Sequence, residues 1–106
     1  MSVSSNAEPI VVGDNATLEL LAYKNGSVWD ISSGTVVLRL KKPDGTVLPL
    51  IEATITDGES GLAEYITDDE LDVDGDWEIQ WSVTKGGVTL SSRSVPFAVL
   101  PLNVPL

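Results

Sequence analysis

The sequence predicts an all-β fold, an antiparallel β-sandwich of about seven strands with one short helical turn near residues 67–71. Three observations predict it. Trp77-Glu78-Ile79-Gln80-Trp81-Ser82-Val83 alternates apolar and polar residues at period two, the pattern of a half-buried strand whose side chains point to opposite faces of a sheet. Shorter alternating stretches recur along the chain, divided by Gly, Pro, Asn and Asp turn signals every ~8–12 residues. At 106 residues the chain is the size of one domain and can bury a core without disulfide or metal staples.

Met1 to Glu8 reads as a small polar arm, residues 9–100 as the sandwich domain and residues 101–106 as an apolar tail. Pro9-Ile10-Val11-Val12 is a short edge strand turned by Gly13-Asp14-Asn15. Ala16 to Tyr23 alternates, with Leu18, Leu20 and Ala22 inward and Leu21 as the exception on the polar side. Asn25-Gly26 is a two-residue turn, because both residues tolerate positive φ. A connection carrying Trp29 and Ile31 leads to Thr35–Lys41, with Val36, Leu38 and Leu40 inward and Arg39 outward.

Pro43-Asp44-Gly45 is the next turn. Val47 to Thr56 follows, held to an edge at first by Pro49, with Ile51, Ala53 and Ile55 sharing a face. In Leu62–Ile66 either Ala63 and Tyr65 point inward or Leu62 and Ile66 do. Thr67-Asp68-Asp69-Glu70 has the T-x-x-E form of a capping box, hence the helical turn. The strand of Trp77, Ile79 and Trp81 comes next, then a Lys85-Gly86-Gly87 turn. Val88 to Leu100 pairs back as the last strand, with Val95, Phe97 and Val99 on one face and Pro96 marking a bulge or an edge. The expected core is Trp77, Ile79, Trp81, Leu18, Leu20, Leu38, Leu40 and Phe97.

Composition excludes several chemistries. There is no cysteine for disulfide, thiolate or cysteine-ligated metal sites, and no histidine to act as general base. Sixteen acidic against six basic residues give a net charge of −10, which repels nucleic acid and anionic lipid. No apolar run approaches the ~20 residues that span a bilayer, and no signal peptide opens the chain. Neither membrane insertion, nor nucleic-acid binding, nor a cofactor is expected.

Glu70, Asp72, Asp74 and Gly75 imitate the first half of a calcium loop, but the position that needs a bidentate glutamate is Trp81. The plainer reading is a solvated acidic turn. Trp29, with Tyr23 near it in sequence, is a candidate for stacking on a sugar; the plainer reading is a ring that covers one open end of the sandwich. Carboxylate pairs such as Glu64/Asp69 or Asp72/Asp76 are of the type used in glycoside hydrolysis. A sandwich this small rarely forms a deep cleft, so no enzyme is expected. Arg39 and Glu78 are a candidate cross-strand pair. The apolar tail, with Pro101, Leu102, Val104 and Leu106, is a candidate partner contact.

Gly75-Asp76-Trp77-Glu78-Ile79 resembles the G-x-Y-x-C run of immunoglobulin domains. Trp77 takes the place of the tyrosine-corner residue and Ile79 that of the second cysteine. Val73 stands where an aspartate is usual, and there is no disulfide. The resemblance implies an immunoglobulin-like topology. A wider resemblance runs from Val12 to Val99. It comprises Val12-Gly13-Asp14, Asp30-Ile31-Ser32, Leu38 to Thr46 with its Pro43-Asp44-Gly45 turn, Gly61 with Tyr65, Asp69 with Gly75-Asp76-Trp77, and Phe97-Ala98-Val99. In this order and spacing they are similar to a family of small tailed-phage proteins that includes the amino-terminal domain of phage baseplate upper proteins. The resemblance implies a structural adaptor of the tail or baseplate, without a receptor-binding extension. It would bind other virion proteins through sheet edges and terminal arms and be oligomeric in the assembly. Its place would be a virion assembled in the host cytoplasm. Two alternatives stay open, a capsid decoration or head-fibre protein and a carbohydrate-binding module that takes a glycan at the host surface.

Overall fold

Trp77 and Trp81 lie at the centre of the fold, both 0% exposed in the computed structural model, which describes residues 10–101 in full and residues 2–5 by their backbone. Two sheets pack over them. One has the order β1 (Ser2–Ser5), β3 (Thr17–Leu21), β9 (Leu62–Ile66), β8 (Thr54–Asp57). The other has the order β2 (Ile10–Val11), β12 (Val95–Leu100), β10 (Gly75–Lys85), β6 (Thr35–Lys41), β7 (Ile51–Glu52), with β11 (Val88–Ser91) also paired to β10. A small hairpin, β4 (Tyr23–Lys24) and β5 (Ser27–Val28), stands apart from both. The first order corresponds to A-B-E-D and the second contains G-F-C, the arrangement of an immunoglobulin-like sandwich.

The strands follow from their sequence. β10 buries Trp77, Ile79, Trp81 and Val83 and turns Glu78, Gln80 and Ser82 outward. Burying an indole removes roughly 150–250 Å² from water, about 4–6 kcal/mol each at the usual transfer coefficient. Leu18, Leu20, Leu38 and Leu40 complete the same core, and Phe97 packs against it half-buried, its ring 6.3 Å from that of Trp77 and tilted by 32°. The Trp77 indole N–H donates to the Val73 carbonyl at 3.0 Å, so a tryptophan here makes the backward bond that the phenol of a tyrosine corner makes. Trp81 Nε1 is buried with no partner among the described residues.

About seven strands were expected; the described residues form twelve strand segments, most of them short, because long runs are divided between partners. Ile51–Glu52 pairs with β6, and Thr54–Asp57 pairs with β9 in the opposite sheet. Between them Ala53 is buried and its N–H donates to Val36 O at 2.9 Å. The chain start does the same. Ser2–Ser5, read from sequence as a free arm, pairs antiparallel with β3, whereas Ile10–Val11 pairs parallel with β12. β11 and β12 form one interrupted strand. At the break the Ser92 hydroxyl accepts the Trp81 N–H at 2.9 Å, and the Ser92 N–H donates to Trp81 O.

Pro96 costs the sheet nothing. Leu100 O accepts the Val12 N–H from the β2 side, so residues 98 and 96 face that side too. Pro96 therefore turns its missing donor away from β10, and among the described residues β2 pairs only with Val99 and Leu100.

The helical turn near residues 67–71 is absent, and the described residues contain no helix. Tertiary bonds have claimed the capping residue. Thr67, 1% exposed, accepts the Ala16 N–H on Oγ1 at 2.8 Å and donates that hydroxyl to Asp14 O, while its own N–H goes to Ala16 O. In β9 it is Ala63 and Tyr65 that face the core, with Ile66 55% exposed.

Two loops interlock at one pole of the sandwich. Ala22 N–H donates to Gly61 O, Trp29 N–H to Ala22 O, and Ile31 N–H to Gly58 O. Gly61 has φ +71°, and a Cβ there would stand 2.9 Å from both Ala22 O and Trp29 O. At the opposite pole Gly13 N–H donates to Leu71 O, and the fully buried Leu71 plugs the core beneath the acidic stretch.

Candidate functional site

The sites expected from sequence are dispersed. Glu70 accepts the Asp68 N–H on Oε1 at 2.6 Å and the Tyr65 hydroxyl on Oε2. Asp72 is held by Lys42, with Nζ 3.0 Å from both carboxylate oxygens. Glu70, Asp72 and Asp74 therefore do not converge on a common point, and no group of three metal-ligating side chains gathers among the described residues.

The Tyr65–Glu70 contact makes stability depend on pH. Burial, then the hydrogen bond and charge of Glu70, then the charges of Asp68 and Asp69, push the phenol from 10.0 up to about 12. Burial pulls the Glu70 carboxyl upward, but the Tyr65 O–H and the backbone N–H groups outweigh it and hold the group below 4.5. A raised phenol favours the fold fully below its ordinary value and loses that contribution as pH rises towards about 12. A depressed carboxyl favours the fold above 4.5 and loses that contribution as pH falls through its lowered value. Tyr65→Phe is expected to flatten the alkaline limb. Between pH about 9 and about 12 the urea midpoint of the variant falls less than that of the parent chain.

Trp29 is half-buried and packs against the core. Lys24 Nζ lies 5.4 Å from the centroid of its ring, so the indole is engaged both by the core and by a cation of its own chain. Tyr23 lies beside it in the small hairpin, opposite Val28. The hairpin turn has φ 54° at Asn25 and 79° at Gly26, as the two-residue connection requires. Pro101 is exposed; Leu102, Val104 and Leu106 lie outside the described residues.

Two sheet faces were missed from sequence. On the outer face of β6, β10 and β11, cross-strand neighbours form rows: Lys41 with Glu78, Arg39 with Gln80, Val37 with Ser82 and Ser91, and Thr35 with Thr84 and Thr89. Glu78 makes its ion pair with Lys41 at 3.3 Å, not with Arg39, because the register sets Arg39 against Gln80. Ser82 and Ser91 hydroxyls bond at 2.8 Å, and Gln80 Nε2 donates to Ser92 O at 3.1 Å. Val37, Arg39, Leu50, Gln80, Ser82 and Ser91 line a depression of about 140 Å³. Arg39 is exposed and has no ion pair or hydrogen bond with its side chain among the described residues.

The outer face of the other sheet carries a pair of like charges. Glu19 on β3 stands directly across from Glu64 on β9, a like-charge pair of the kind that destabilises a sheet. Neither carboxylate meets a cation among the described residues. Leu21 and Leu62 form the next row, and Ile66 lies exposed beyond Glu64. Register alone decides both arrangements, and nothing in the alternation of either strand announces it.

Both faces set charged and hydroxyl side chains beside exposed aliphatic ones, Leu50 on one and Ile66 on the other. No helix among the described residues is long and apolar enough to cross a membrane. A family profile described as BppU N-terminal domain matches residues 3–103. A comparison with curated proteins finds no match.

Proposed function

The chain belongs to the BppU N-terminal domain family, and from that premise we propose that it is an adaptor in the tail or baseplate of a tailed-phage virion. Its class is that of a phage baseplate-related structural protein, a virion component that meets other virion proteins. The observation that carries the adaptor reading is the extent of the match, residues 3–103, which takes in both sheets and all the loops between them. The exposed mixed polar and aliphatic faces support a role in protein contact. The contacts we assign are the free sheet edges, the Trp29 and Tyr23 pole, and the two ends of the chain, including Pro101, Leu102, Val104 and Leu106. Edge strands and arms are low-cost ways to join protein subunits. The family favours the baseplate over a capsid decoration or head fibre.

The test is reconstitution. Purified chain mixed with phage particles assembled without it is expected to co-sediment with them and to be seen at the tail end by gold labelling. Persistent failure to associate, or label on the capsid, would refute the placement.

A further inference from the structure

We propose that the two outer sheet faces recognise each other between copies of this chain, with Arg39 of one copy seated between Glu19 and Glu64 of the next. Directly across from Arg39 stands the neutral Gln80; the carboxylates nearest on its face are diagonal to it, Glu78, which is paired with Lys41, and Glu52, which stands across from Val37, and neither forms an ion pair with Arg39 among the described residues. The other sheet sets two carboxylates directly opposite each other with no cation between them. The acidic row lacks a cation, and Arg39 is a cation without an ion pair among the described residues. A guanidinium presents five donors in a planar fork and can satisfy two carboxylates at once, which a lysine ammonium does less well.

The surroundings match as well. Arg39 is flanked by Val37 and by Leu50, which is 57% exposed; Glu64 is flanked along its strand by Leu62 and by Ile66, which is 55% exposed. Aliphatic side chains beside each charge would exclude water from the pair and strengthen it. The walls of the Arg39 depression are already fixed by the Ser82–Ser91 and Gln80–Ser92 bonds, so little ordering is needed on contact. The two faces lie on opposite sides of one sandwich. The contact is therefore heterologous, and repetition gives a ring or an open stack. It is a contact between copies and does not depend on which virion protein the sandwich meets.

The test is sedimentation equilibrium of the purified chain at low ionic strength and high concentration. The parent chain self-associates, and raising salt to about 0.5 M weakens this at least tenfold. Arg39→Glu weakens it at least tenfold, Arg39→Lys weakens it less, and the double change Glu19→Arg, Glu64→Arg weakens it as Arg39→Glu does. Lys85→Glu makes the same change in net charge away from both faces and leaves association as in the parent. An equimolar mixture of the Arg39→Glu chain and the double variant regains a one-to-one complex, since each retains the face that the other has lost. A monomeric parent chain, association indifferent to Arg39→Glu, or variants that fail to complement in the mixture would each overturn the proposal. All four substituted positions are at least partly exposed, and unchanged melting curves show that the variants fold.

Discussion

Replacing Trp77 with alanine is expected to lower the free energy of unfolding by about 3–5 kcal/mol, enough to leave a domain of this size close to unfolded at ambient temperature. The side chain is fully buried against Phe97, and its indole N–H satisfies the Val73 carbonyl. The two tryptophans are not equivalent, and phenylalanine separates them. Trp77→Phe removes both volume and the bond to Val73. Trp81→Phe removes volume together with an N–H that has no partner among the described residues, a group whose burial itself costs about 1–3 kcal/mol. Urea titrations are therefore expected to place Trp81→Phe about 1–2 kcal/mol above Trp77→Phe in stability. Equal losses would mean that the Val73 bond contributes nothing.

The second large effect is expected at Gly61. Alanine there meets two separate obstacles, a left-handed φ of +71° and carbonyl oxygens of Ala22 and Trp29 at 2.9 Å from its Cβ. Together these cost about 2–4 kcal/mol. Gly45 has φ +93° with open space around it, so Gly45→Ala meets only the first obstacle and costs about 1–2 kcal/mol. The difference in midpoint between the two variants measures how firmly residues 57–61 and residues 22–31 are locked together. It also predicts a local readout: Trp29 fluorescence shifts in Gly61→Ala and not in Gly45→Ala.

The sandwich was legible because period-two alternation reports burial on one face; β10 alternates without a fault, and β6 departs from it only at Val37. The sheet switch at Ala53 was not legible for the same reason. Ile51 and Ala53 face the core from one sheet and Ile55 faces it from the other, so the alternation runs unbroken through the change of partner. The capping-box pattern at Thr67 failed because a local propensity competed with three tertiary hydrogen bonds to Asp14 and Ala16 and lost. Leu71 was overlooked inside an acidic run, although a lone leucine among aspartates is itself a sign of an anchor. The two charged faces depend on which residue stands across from which. Turn lengths and the fit of the core set that register, and a shift of two residues would have paired Arg39 with Glu78 as the sequence first proposed.

The parallel pairing of β2 with β12 has a mechanical consequence. The chain enters at the pole of Trp29, where Ser2 opposes Leu21, and leaves at the acidic pole, where Leu100 opposes Val11. Tension between a segment fused ahead of Ser2 and one fused behind Pro101 would drag the two parallel strands past each other along their length. Their hydrogen bonds, with the Val12–Leu100 bond at the end of the series, then resist in shear as a set and do not peel apart singly. Under load the lifetime of the fold is set by its unfolding rate, and this linkage slows rupture in the direction in which a tether would pull.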